Sequence, residues 1–348
     1  MNVTTKEVQK TAQTLDYILD EYKKQIPKKK RDWRTYEQRL TERIRTAIRE
    51  LEPLIEEAVS SIRVVKEEKR GRKSKLTLKQ KTLLLLLKHL IDKSNREMSN
   101  MLVVFSLLAE VDVSYKTVER LYNDEEVILV LHNMHMLLLE KKEVENSDCS
   151  GDGTGYSLTI KKHYASEAQK LKDKIKSSKT AERSRKKNKE SSKKKMKKQF
   201  IYSFKLMDLD TRMYIAYGTS FQSEKAAFLK AIVMAESAGL TSIRLDRYYS
   251  AQMYVKLMKG KFGDGVMMYL IPKKNATVKG PWKWKQMLHR FVNDTHTYLR
   301  EYFRRNQSES GISEDKRRFG WQIRQRREDR IDTADFCTVL WHNLFWIG

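Results

Sequence analysis

At 348 residues with 40% hydrophobic side chains, the chain is long enough for a sizeable core in two or three domains and is not disordered as a whole. Its formal charge of +26 points to a polyanionic partner, because neutralised phosphates release counterions and supply most of non-specific nucleic-acid affinity. Two cysteines, Cys149 and Cys337, without CxxC or Cys/His spacing argue against structural zinc, and no apolar run nears the roughly 18 residues that cross a bilayer. With no signal pattern at the start, the expected place is the cytoplasm beside the nucleoid, with no membrane partner.

Residues 1 to 69 read as a charged helical segment, with Ile44, Ile48, Leu51, Ile55 and Ile62 at spacings of three, four and seven. Pro53 inside this pattern should kink or restart the helix. The segment either packs on its own chain or serves as a dimerisation arm. Residues 70 to 145 follow as a second region. It opens on Arg70-Gly71-Arg72-Lys73-Ser74-Lys75, a basic strip suited either to a minor groove or to a plain linker. Helices are predicted over Leu78 to Ile91 and Asn95 to Glu110, and a third starts at the Ser114 cap and carries Tyr115, Lys116 and Arg120. Three short helices with a basic last member are compatible with a helix-turn-helix module that binds double-stranded DNA.

The third region spans 146 to 348. Asp152-Gly153-Thr154-Gly155 sets a carboxylate in a glycine-rich stretch where metal and phosphate can approach the backbone closely. Asp148, four residues earlier, competes for that place, a turn aspartate is the plain alternative, and the Thr-Gly context favours Asp152. Residues 161 to 198 hold seventeen Lys/Arg against four acids, a basic insertion suited to phosphate contact without sequence readout. Phe200 to Met207 and Arg212 to Thr219 predict a hairpin about 208–211. A helix capped by Ser223 runs to Ala238 and stops at Gly239. Thr241 to Leu245 is a buried strand ending at Asp246, where open α/β sheets place their chemistry. A further strand, Gly265 to Ile271, precedes Trp282-Lys283-Trp284-Lys285. There the two indoles either stack on a frayed DNA end or pack on the core edge. The tail helix from Ile331 buries Cys337 and His342 as packing residues.

The most specific stretch is Tyr302-x2-Arg305-x3-Glu309-x6-Lys316. On one helix these intervals hold a phenol, a guanidinium, a carboxylate and an ammonium in one narrow wedge, beside an apolar stripe of Ile312, Phe319 and Ile323. Arg317 and Arg318 extend the cationic row. The pattern resembles the YREK signature of the DDE transposases of prokaryotic insertion sequences. Asp152 in Asp-x-Thr-Gly and Asp246 before Arg247 resemble the first and second acidic motifs of that family, in matching order.

The resemblance implies a ribonuclease H-like α/β domain: a mixed sheet with an antiparallel first hairpin and helices on both faces, preceded by an all-α DNA-binding region. It also implies that Asp152, Asp246 and Glu309 hold two Mg²⁺ ions, with Mn²⁺ able to substitute, for cleavage at transposon ends and strand transfer into target DNA. Tyr302, Arg305 and Lys316 would grip the DNA backbone, and a homodimer would hold paired ends. Gly311 and Glu314 depart from the bulkier apolar residues usual on that helix. The alternatives are a nuclease or junction resolvase on the same fold, which cuts without rejoining, and an inactive DNA-binding derivative.

Overall fold

The computed structural model describes residues 3–25, 32–62, 76–92, 102–103, 113–158 and 200–348. Arg70 and Arg72, most of the predicted second helix of the DNA-binding region and the basic insertion 161–198 lie outside the described residues.

Five strands form one mixed sheet: β1 (Ser147–Ser157), β2 (Phe200–Asp208), β3 (Tyr214–Ser220), β4 (Leu240–Arg244) and β5 (Met267–Tyr269), in spatial order β3-β2-β1-β4-β5. β2 runs antiparallel to both β1 and β3, whereas β4 runs parallel to β1 and to β5. The predicted hairpin is present. Its turn is closed by the Asp208 carboxylate, which accepts from the amide and hydroxyl of Thr211, and by Arg212 in the left-handed region at φ 64°. The last strand is shorter than Gly265 to Ile271.

Six helices described before the sheet are α1 (Thr5–Gln13), α2 (Leu15–Gln25), α3 (Trp33–Ser60), α4 (Leu78–Ile91), α5 (Tyr115–Leu121) and α6 (Glu125–Lys141). Six more are α7 (Glu224–Ala235), α8 (Gln252–Phe262), α9 (Trp282–Asn293), α10 (Thr295–Phe303), α11 (Asn306–Phe319) and α12 (Glu328–Phe345). Side-chain oxygens of Thr4, Asp32, Thr77, Ser114, Asp124 and Ser223 accept from the first-turn amides of their helices. α7 ends at Ala235 rather than Ala238, and Gly239 at φ 70° turns the chain into β4. α3 passes through Pro53 without restarting. Proline removes one hydrogen bond there, but Leu51, Leu54, Ile55 and Ala58 on the same stretch are buried and hold the helix in place.

Helices cover both faces of the sheet. Against one lies α7, drawn close by Gly218, where a Cβ would fall 2.2 Å from the Ala227 carbonyl oxygen. Against the other lie α11 and α12. α12 also packs on α3, α4 and α6, so the helical N-terminal region and the sheet share one hydrophobic core. The indole of Trp341 in α12 donates to the Leu86 carbonyl at 3.0 Å. Residues of the first region therefore pack on their own chain, although Ile44 and Ile48 stay partly exposed.

A buried ionic cluster fastens α11 and α12 to the sheet. Lys205 of β2 is fully buried and reaches Asp335 at 3.4 Å, Asp315 at 3.8 Å and the Tyr156 hydroxyl at 3.1 Å. Asp315 accepts from Tyr214 and bonds His342 Nδ1, both at 2.8 Å. Burial opposes the Lys205 charge, but Asp335, Tyr156 and Asp315 outweigh it and the ammonium's pKa is raised.

Candidate active site

Parallel pairing of β1 with β4 sets the first relation of the site. Ser150 pairs with Arg244, and Asp152 and Asp246 each stand two residues further on along their chains. The two aspartates are thereby delivered to the same edge of neighbouring elements. Asp152 is on β1 itself, opposite Lys205 of β2. Asp246 follows β4 and accepts from the Arg247 amide at 2.7 Å, capping the 3₁₀ turn Arg247–Tyr249.

The third acid comes from the α10–α11 junction. Tyr302 and Glu309 do not share one helix: α10 stops at Phe303, α11 starts at Asn306, and Arg304 and Arg305 form the joint with helical dihedrals. The predicted single wedge is therefore an elbow. Arg305 Nη1 lies 2.7 Å from Glu309 Oε1 and 3.8 Å from Asp152 Oδ1, bridging the acid of the helix to that of the strand. Tyr302 is buried, with the Arg305 guanidinium carbon 5.6 Å from its ring centre. Burial raises the Tyr302 pKa against the Arg305 charge, so the phenol is neutral.

Electrostatics join these groups and add one that sequence reasoning missed. Burial, with the Glu309 charge and against that of Arg305, pushes the Asp152 carboxyl up to about 7; Glu224 pushes in the same direction. Glu224, the first residue of α7, accepts from the Tyr249 hydroxyl at 2.9 Å. Its own pKa is raised by burial, against the Tyr249 hydrogen bond and with Asp246 adding to it. For Arg305, burial disfavours the charge, but Tyr302, Glu309, Asp246 and Asp152 together raise its pKa. A guanidinium thus stands among three carboxylates and a phenol. Among the described residues, no three acidic, histidine or cysteine side chains are close enough as placed to hold a metal ion.

Glycines make the site compact. A Cβ at Gly153 would fall 2.3 Å from the Glu224 Cδ, so the strand beside Asp152 is bare where the acid of α7 lies against it. Gly311 plays the same part on α11, where a Cβ would sit 2.4 Å from the Met207 Cε. The departure at 311 leaves room for the end of the Met207 side chain and for the Tyr214 hydroxyl, 3.1 Å from the same point. Glu314, the other departure, pairs with Arg318 at 2.7 Å.

The cationic row divides by burial. Lys316 is buried: its ammonium donates to Thr154 Oγ1 and, at 3.2 Å, to the Gly155 carbonyl, locking α11 to β1. Arg318 lies 4.1 Å from the Phe345 ring centre, and Arg317 is exposed. The indoles divide likewise. Trp284 is 3% exposed and donates to the Thr277 carbonyl at 2.8 Å, so of the two sequence readings it takes the packing one. Trp282 is 65% exposed and, with Lys279 and Lys285, rims an open cleft of about 550 Å³ between α9 and the start of α1. On α5, Lys116 and Arg120 are exposed, Tyr115 is half-buried, and Lys116 pairs with Glu119 at 3.0 Å. Asp148 is no turn residue; it lies on β1 among arginines.

No family model and no solved structure matches the chain. Over 345 residues, 99% of this chain and 96% of the relative, it is 41% identical to the probable transposase for insertion sequence element ISA1214 of Archaeoglobus fulgidus.

Proposed function

The chain belongs to the family of insertion-sequence transposases, and on that premise we propose that it is a DDE transposase of the YREK group that acts on double-stranded DNA through Asp152, Asp246 and Glu309. The observation that carries this reading is the meeting of three distant segments. Strand register brings Asp152 and Asp246 to one edge, and Arg305 ties Glu309 to Asp152 across the elbow. The strand order β3-β2-β1-β4-β5, with an antiparallel first half and a parallel second half, supports a ribonuclease H-like catalytic domain.

The donor set fits Mg²⁺ in kind: carboxylates without imidazole or thiolate, with Asp152 held back from ionising by burial and by the Glu309 charge, against the pull of Arg305. Asp152, Asp246 and Glu309 would hold it. When bound, Mg²⁺ supplies activation of the attacking oxygen and stabilisation of the leaving oxygen in an in-line phosphoryl transfer. Arg305 is the protein group that changes partner. Its Nε is buried with no hydrogen-bond partner, and its Nη1 is engaged by the acids, so an incoming phosphate oxygen would find a guanidinium with donor capacity already beside the carboxylates. Lys316 keeps β1 and α11 in register from beneath. The exposed cations Arg317, Lys116 and Arg120, together with Trp282, are the surface groups offered to DNA. Among the described residues no helix is long and apolar enough to cross a membrane.

The decisive experiment supplies a pre-cleaved DNA end carrying the sequence that flanks the gene, in Mg²⁺. Joined strand-transfer products are expected, from a homodimer holding two ends. Cleavage without joining would make the protein a nuclease or resolvase, and binding without cleavage in Mg²⁺ or Mn²⁺ would make it an inactive derivative.

A further inference from the structure

Four residues from Asp152, the same strand carries a second carboxylate on which two other segments converge. Asp148 accepts from Ser242 Oγ and Arg244 Nη1 of β4 and from Arg304 Nη1 of the α10–α11 elbow. Arg244, whose side chain is only 2% exposed, also donates to the Glu301 carbonyl at 2.7 Å and to the Glu301 carboxylate at 2.5 Å. Arg304 reaches the same carboxylate at 3.4 Å and Asp210 at 3.1 Å. We propose that Asp148, with Arg244 and Arg304, is the positioning centre that holds the three acid-bearing segments in mutual register.

The placement argues for this directly. Asp148 precedes Asp152 on β1, Arg244 precedes Asp246 by two residues, and Arg304 sits beside Arg305 at the head of the helix carrying Glu309. β1 and β4 already share a backbone ladder, but the ties of the elbow to β1 described above run through side chains: Arg304 to Asp148, Arg305 to Asp152, Lys316 to Thr154. Asp148 and Asp152 are about 13 Å apart at a strand rise of about 3.3 Å, so Asp148 acts through the backbone and not on the reacting atoms. Substrate must draw Arg305 away from its carboxylates. Arg304 on Asp148 then remains to keep the elbow seated.

This inference rests on the three-acid reading, and Glu309→Gln serves as the control that separates the two. The test uses full-length Arg304→Met, Asp148→Asn and the double variant. Calorimetric titration with Mn²⁺ and single-turnover cleavage of a linear duplex are measured on each. Each single variant is expected to weaken Mn²⁺ binding and slow cleavage by about 10- to 100-fold, the range for residues that orient metal ligands. Duplex affinity and its salt dependence should stay as in wild type, and the double variant should be no worse than the poorer single one, as members of one network are non-additive. Lost duplex affinity with a shallower salt slope in Arg304→Met and unchanged Mn²⁺ binding would make Arg304 a phosphate contact and overturn the proposal. So would wild-type behaviour in both assays. Should Asp148→Asn fail to fold, Arg304→Met, at a partly exposed position, decides alone. If Glu309→Gln cuts as well as wild type, the three-acid reading itself fails and takes this inference with it.

Discussion

Gly153 and Glu224 fit each other so closely that a single methyl group on the glycine would lie 2.3 Å from the carboxyl carbon of the acid. Gly153→Ala must therefore shift β1 or expel Glu224 from its place beside Tyr249. Overpacking of this kind costs about 1 to 3 kcal/mol, and cleavage should fall with it because Asp152 is the next residue. Urea denaturation measures the first effect. Adding Glu224→Ala should recover most of the lost stability, and a double variant no more stable than Gly153→Ala alone would refute the steric account.

Glu309→Gln should bind duplex DNA as well as wild type or better, since it removes a negative charge from a strongly basic protein, while cleavage drops by at least about a thousandfold. Gel-shift titration and plasmid nicking in Mg²⁺ check the two halves separately.

Lys205→Met should be among the most damaging core changes outside the acids. It leaves Asp335 and Asp315 buried with one cation fewer, a loss of about 3 to 5 kcal/mol. Coupling it to Asp335→Asn should recover part of that loss, as read by chemical denaturation.

Acid should unfold this protein partly through two histidines, buried His135 and half-buried His89. Burial, against a hydrogen bond to the Ile215 carbonyl, holds His135 down at about 4; burial with the charges of Lys88 and Lys205 holds His89 at about 3. The unfolded chain takes up these protons near 6.5 and the folded chain does not, so stability is complete above about pH 6.5 and declines as pH falls toward 4. His135→Gln should flatten that slope by about 1 to 3 kcal/mol between pH 6.5 and 4.5. Thermal melts across the window would show it, and an unchanged slope would count against the buried neutral imidazole.

The two indoles should separate cleanly. Trp284→Ala, in the core, is expected to cost about 3 to 5 kcal/mol, whereas Trp282→Ala should leave the melting temperature alone and weaken binding to frayed or single-stranded ends. Equal effects of the two on stability would contradict the burial difference.

Much of this was legible because local chemistry and tertiary structure agree. The Asp208 to Thr211 turn, the Ser114 and Ser223 caps and the apolar strand before Asp246 each carry their own signal within a few residues. Spacing also drew attention to Arg305 and Glu309, which do form an ion pair. What spacing cannot show is a two-residue joint with helical dihedrals, which is why Tyr302 to Lys316 read as one helix. Nor can it tell an exposed ammonium from one buried against β1, as Lys316 is, or one indole from its neighbour two positions away. Glu224 was hidden as an ordinary first-turn acid behind a serine cap; its only trace was the glycine at 153, which makes sense once α7 is laid on the sheet. Around Asp148 the sequence carries no local sign that arginines from two remote segments reach it.

Ser157, the last residue of β1, pairs with Phe200, the first of β2. The chain leaves the sheet and re-enters it at adjoining points, so everything between those residues is spliced into the end of one hairpin. The entropy lost in closing such an excursion grows only logarithmically with its length. A change in the number of residues joining Ser157 to Phe200 therefore costs the β1–β2 ladder little.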